Sequence, residues 1–181
     1  MGASRLKQML GRPSGPKKEM KLQLREATEK DISLIHQMQK SAFYDLLEKY
    51  QDYKTNPGSE TEEVVRDKFY QENTKYFLII LNMKDVCGAI RIVTEEKYYR
   101  ISPIFIIPQY QNKGIAQKVF RIIEDEYTQK DTWSLSTIKE EGRNCHIYEK
   151  NGYKRTGKEE KIKEGMTLIY YEKKCPTKRS T

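Results

Sequence analysis

Cysteine is scarce and scattered in this chain. Cys87, Cys145 and Cys175 are odd in number, far apart and form no C-x-x-C pair, which argues against a disulfide framework and against a cysteine-held zinc. Histidine is scarcer still. His36 and His146 stand on distant segments and make neither a metal site nor a Ser-His-Asp arrangement, so no metal is expected. No apolar run approaches the roughly eighteen residues of a membrane span. The opening segment lacks the apolar centre of a secretory signal, and Leu6 stands where N-myristoylation wants Ser or Thr. These absences point to a reducing cytoplasm and away from a membrane.

An excess of one charge is also missing where it would matter. The chain carries 34 Lys and Arg against 26 Asp and Glu. Nine of those bases and only one acid lie in residues 1–20 and 173–181, which leaves 25 of each sign in 21–172. A balanced body offers no basic face for a nucleic acid, so no nucleic-acid partner is expected. At 181 residues the chain can bury one good core but not two. The expected organisation is a leader or flexible arm at 1–19, in the manner of an expression leader preceding Met20, one domain over 20–175, and a flexible basic tail at 176–181.

What is present is a readable series of elements. Residues 21–28 alternate like a short strand, and Thr28-x-x-Asp31 is a capping box opening a helix with Ile32, Ile35, Ala42 and Leu46 near helical spacing. The turn-rich stretch 52–63 follows, with Ser59-x-x-Glu62 as a second capping signal before Val64, Val65 and Phe69. Two β-branched runs within 75–93, split by Asn82-Met83-Lys84-Asp85, predict a hairpin. A further strand is expected over 97–107. After Gly114, apolar residues at Ala116, Val119, Phe120, Ile123 and Tyr127 trace one face of a helix. Strands at 132–138 and 166–173, a short helix at 140–151 stopped by Gly152, and a short strand at 153–158 complete the series. The order predicts a mixed α/β fold with a central, largely antiparallel sheet flanked by helices.

One junction carries chemistry. Between the strand ending at Ile107 and the helix beginning near Ile115 lies a polar loop, Gln111-Asn112-Lys113-Gly114. Gly114 can take positive φ, and the N–H groups of a helix start attract an anion. Downstream, Asn144 and Tyr148 are four apart and share a helical face.

Gln111 to Ala116 matches Q/R-x-x-G-x-G/A, and together with "NCHIYEKNGY" (144–153) and "LREATEKDI" (24–32) it resembles the GCN5-related N-acetyltransferases over about residues 22–172. The resemblance implies a splayed, largely antiparallel sheet and acetyl-CoA as co-substrate. It implies that Gln111, Asn112, Lys113, Gly114, Ile115 and Ala116 hold the cofactor's pyrophosphate. It implies further that Asn144 meets the pantetheine arm, that a bulge at Phe105, Ile106 and Ile107 frees N–H groups for the thioester carbonyl, and that Tyr148 protonates the departing sulfur.

The acceptor it implies is a primary amine, on a small molecule or a peptide N-terminus, gathered between the first two helices by Tyr50, Asp52, Tyr53 and Asn56. Tyrosine faces and a carboxylate attract a cation. Paired subunits, frequent in that family, make a homodimer an open expectation. Residues 101–107 hold no carboxylate where many members carry a general base. Glu95, Glu96 and Asp52 are loose candidates, and none is assigned. Cys145 could suggest an acyl-enzyme, but no base is visible beside it, so direct transfer is expected. The rival reading is a non-catalytic CoA-binding or regulatory module on the same fold.

Overall fold

The computed structural model describes residues 20–176; the expected leader at 1–19 and all but the first residue of the expected tail lie outside the described residues. Strand β1 (Leu22–Glu26) leads into helix α1 (Ile32–Tyr50), and helix α2 (Glu62–Phe69) follows after a loop. The capping box forms as expected: Asp31 Oδ2 accepts from the Thr28 N–H at 2.8 Å, while Arg25 grips the same carboxylate at 2.9 and 3.1 Å. The second cap differs. Thr61, not Ser59, opens α2, its Oγ1 accepting from Val64 N–H at 3.3 Å, because Ser59 is already spent donating to the Asn56 carbonyl in a one-turn 3₁₀ helix.

Strands β2 (Thr74–Leu81) and β3 (Asp85–Thr94) form the expected hairpin, with Asn82 and Met83 both at positive φ as a tight turn between right-twisted strands requires. Strand β4 (Tyr99–Ile106), helix α3 (Ile115–Glu126), strand β5 (Thr132–Ile138), helix α4 (Gly142–Lys150), and strands β6 (Lys154–Lys163) and β7 (Met166–Lys174) follow. The short strand expected at 153–158 is a full ten-residue edge strand, exposed almost throughout and heavily charged, so it presents no apolar edge to another sheet.

The seven strands run in the order β1-β2-β3-β4-β5-β7-β6, and only the β4–β5 pair is parallel. Alternation on β2 explains how both faces are covered. Tyr76 and Leu78 pack with Ile32, Ile35 and Val65 of α1 and α2, while Phe77 and Ile79 turn to Val119, Phe120 and Ile123 of α3. Trp133, Tyr153 and Tyr171 are fully buried on the α3 side.

The parallel pair is what positions the site. Strands β4 and β5 pair only at Tyr99–Trp133 and Arg100–Ser134 and then part. The register of β3 against β4 shifts between Ile101 and Ile104, so Ser102 and Pro103 bulge out against Arg91. This is a correction, since the bulge was expected later, at Phe105 to Ile107. The extra residue flips the alternation: Tyr99 and Ile101 face α3 before it, Ile104 and Ile106 after it. The sheet is therefore split into two wings, with a wedge opening between them.

Candidate active site

A cavity of about 710 Å³ fills the wedge, a size suited to a cofactor and a small molecule together. Its walls are β4, β5, α4 and the start of α3, and its far end is lined by α1 and the loop after it.

The polar loop forms the mouth. Asn112 and Gly114 both adopt left-handed backbone, at φ 65° and 72°, and turn the chain into α3. The first bond of that helix runs from Lys118 N–H to Gly114 O at 3.4 Å, so the N–H groups of Ile115, Ala116 and Gln117 have no partner within the helix. A Cβ built on Gly114 would meet nothing within 4 Å, so the space before these donors is open. Lys113 lies over the Tyr110 ring at 5.1 Å, and its ammonium adds positive charge at the loop. Gln111 differs from expectation. Its side chain lines the cavity with its amide nitrogen donating to Ile106 O at 2.8 Å, which staples the loop to the end of β4.

The backbone of β4 supplies donors along the wedge. Ile107 N–H bonds Cys87 O at 2.9 Å, and the alternation of an antiparallel ladder then turns the amides of Phe105 to β3 and those of Ile104 and Ile106 to the side that β5 has left. The orientation of Ile106 is corroborated by its carbonyl, which Gln111 meets on that side. Phe105 is accordingly a correction: its amide belongs to the ladder, and its ring is buried against Phe43 at 6.0 Å.

Asn144 and Tyr148 both line the cavity from α4. The Tyr148 ring is clamped by Phe120 and Tyr171, each at 5.9 Å, and its hydroxyl makes no hydrogen bond among the described residues. Burial pushes this phenol up to about 12, with the neighbouring Cys145 adding to the rise. It therefore keeps its proton across the physiological range. Cys145 is buried beneath the helix toward the end of β5, its thiol directed to the Ile138 and Lys139 carbonyls at 3.7 Å, and it does not line the cavity.

The expected acceptor residues are largely occupied elsewhere. Asp52 is buried, accepting from the Lys54 and Thr55 amides at 3.1 Å and from the Thr55 hydroxyl, and so ties a turn. Tyr53 is 63% exposed with its hydroxyl on Gln51. Tyr50 lies beneath the cavity, donating to Glu141 at 2.5 Å. Of the four, only Asn56 reaches the wall, beside Thr55, and its Oδ1 caps Gly58 N–H at 2.7 Å. Glu95 is paired with Arg100 and, like Glu96, does not line the cavity.

Two carboxylates that sequence reasoning passed over do line this end, Asp45 on α1 and Glu141 at the start of α4. Burial pushes Glu141 up, but the Lys49 ammonium at 2.6 Å and the Tyr50 hydroxyl outweigh it and hold the carboxyl below its ordinary value. The signal was available. Glu141, Asn144 and Tyr148 are spaced i, i+3, i+7 and form one stripe on the cavity side of α4. Among the described residues no cluster of His, Cys, Asp and Glu could hold a metal, and no helix is long and apolar enough to cross a membrane.

Comparisons with known proteins agree with this geometry. The acetyltransferase (GNAT) domain profile matches residues 46–175. No curated protein matches the chain. Among solved structures, a chimaera of the spermidine N-acetyltransferase SpeG from Vibrio cholerae and hSSAT superposes at TM-score 0.67 and 18% identity, covering 84% of this chain and 95% of that one. The Vibrio cholerae spermidine N-acetyltransferase in complex with CoA and spermine follows at TM-score 0.66 and 18% identity, with 83% and 94% covered. A dodecameric form of the same enzyme superposes at TM-score 0.63 and 18% identity, with 84% and 93% covered. The match over 46–175 settles the affiliation: this chain belongs to the GNAT acetyltransferases and is an acetyl-CoA-dependent N-acetyltransferase.

Proposed function

We propose that residues 20–175 form the catalytic unit, that the wedge between β4 and β5 receives acetyl-CoA, and that an amine entering from the α1 end attacks the thioester directly. The observation that carries this is a single cavity joining unpaired helix N–H groups, free strand amides and a protonated phenol. Acetyl-CoA, when bound, supplies the activated acyl group. The chain's own groups do the rest. The N–H groups of Ile115, Ala116 and Gln117, with Lys113, hold the pyrophosphate by charge and helix dipole. Asn144 steadies the pantetheine arm. The amides of Ile104 and Ile106 receive negative charge developing on the carbonyl oxygen. Tyr148 donates its proton to the leaving sulfur, and the proton that the attacking nitrogen sheds as the amide forms restores the phenol. The buried, cavity-averted Cys145 favours direct transfer over an acyl-enzyme.

The acceptor we infer is a small-molecule amine. The α1 end of the cavity is lined by α1, Asn56 and Glu141, the whole space is about 710 Å³, of a size for a cofactor and a small molecule, and the structural neighbours named above act on spermidine. The reading is tested by thiol release from acetyl-CoA with a panel of amines. Turnover supports the enzyme, whereas CoA binding without turnover on any amine selects the non-catalytic module. Tyr148→Phe keeps the ring and its packing while removing the proton. Its maximal rate should fall about 10²-fold, the low end for a positioned acid because a thiolate is a fair leaving group, with acetyl-CoA affinity within about twofold. A rate within about twofold of the parent, with chemistry limiting, returns Tyr148 to a packing role.

A further inference from the structure

We infer that Glu141 is a specificity-determining residue that binds a second positive charge on the acceptor, so that the preferred substrate is a diamine whose two cationic nitrogens stand about 10 Å apart. The inference rests on the acetyl-transfer reading and adds to it the class of acceptor. Tyr148, at the proposed reaction centre, and Glu141 lie on one stripe of the cavity wall, seven residues apart. At 1.5 Å rise per residue that separation is roughly 10 Å along the helix axis. Leu46, Ile138, Met166 and Leu168 give the same wall an apolar side that packs with Tyr50 beneath, while Ser136, Thr137, Arg143, Asn144 and His146 line it as well. A carboxylate at one end, the reaction centre at the other and methylene-compatible side chains in the same wall match a flexible chain with an ammonium at its terminus, not a compact polar acceptor.

The state of Glu141 fits that task. Lys49 and Tyr50 both bond Oε1, at 2.6 and 2.5 Å, which leaves Oε2 free for a further donor. The carboxyl stays ionised at neutral pH, so it serves as an anchor for a cation and not as the base that takes the reacting proton. Asp45, exposed on the same rim, adds negative field along the entry path. Lys49 is 57% exposed at its side chain and bridges to Glu141 from outside the cavity wall, so it competes with a bound ammonium for the same carboxylate.

The alternative is that Glu141 only ties α1 to α4. Calorimetric titration of the CoA-bound protein with diaminooctane and with aminooctane, equal in chain length and different by one charge, separates the two and requires no turnover. In Glu141→Gln the diamine should bind at least tenfold more weakly while the monoamine shifts by less than about twofold. In Lys49→Met, which removes the competing cation, the diamine should bind several-fold more tightly. Parallel losses for both amines, or weaker diamine binding in both variants, would show a structural tie and overturn the inference. So would unchanged diamine affinity in Glu141→Gln. Absence of thiol release by the unmodified protein would instead overturn the acetyl-transfer reading, leaving these affinities to stand or fall separately.

Discussion

At the scale of single residues, the charges that matter are those whose surroundings hold one protonation state. Asp31 is held down to about 2, first by Arg25 and then by the Thr28 amide and hydroxyl against the opposing effect of burial. A carboxyl whose pKa is depressed on folding contributes stability that is present above its unfolded value, near 3.8, and lost as pH falls toward about 2. Asp31→Asn should therefore lower stability at pH 7 by about 1 kcal/mol, as the loss of a capping side chain does. Denaturant titrations of both forms should converge as pH falls through that window; a difference that persisted below it would have another origin. Tyr148 is the opposite case, a neutral acid made more reluctant by burial. No loss of activity from its ionisation should be seen below pH 10. Both residues could be named from the sequence, Asp31 from Thr28-x-x-Asp31 and Tyr148 from its place four after Asn144. Asp52 could not be read correctly, because a carboxylate that ties its own turn and one that faces a ligand have the same spelling.

At the scale of elements, the loop before α3 shows how much a local pattern can decide. A strand, a polar loop with glycine and an apolar helical stripe were all legible, and the element bounds follow them closely. Gly114 sits at φ 72° with open space before it, so its freedom serves the turn and, in the proposed site, the approach of the cofactor. Gly114→Val imposes a β-branched residue on left-handed backbone and fills that space. Acetyl-CoA affinity should fall at least tenfold, about 1.4 kcal/mol, in a protein whose circular dichroism is unchanged. Undiminished affinity in calorimetry would remove the loop from the cofactor site. Gln111 shows where local reading stops. Its residue type suits a phosphate contact as well as a carbonyl, and only the position of the Ile106 carbonyl, brought within 2.8 Å by the fold, chooses between them.

For the whole molecule, the site is the product of a sheet that divides. In the proposed binding mode acetyl-CoA bridges both wings, so its binding should stabilise the chain as one unit. Acetyl-CoA at about a hundred times its dissociation constant should add about 2.7 kcal/mol, which for a chain of this length is a rise of roughly 5–10 °C in melting temperature. Scanning calorimetry should show this rise in the parent, a much smaller one in Gly114→Val at the same concentration, and an undiminished one in Glu141→Gln. A parent that melted at the same temperature with and without acetyl-CoA would contradict cofactor binding in the wedge.

What the sequence determined by itself was the run of elements, the family-like loop and the face of α4 that carries Asn144 and Tyr148. Those are local matters of periodicity, capping and backbone freedom, and a few neighbouring residues suffice to express them. Only the tertiary structure decided where the sheet parts, since the bulge at Ser102–Pro103 is defined by β3 across the ladder and not by β4 alone. It also decided which carboxylates face the cavity. Asp45 and Glu141 stand far apart in the chain and meet at one end of the wedge because α1 crosses the sheet beside the start of α4, while Asp52 is drawn into its own turn by the hydrogen-bond donors beside it.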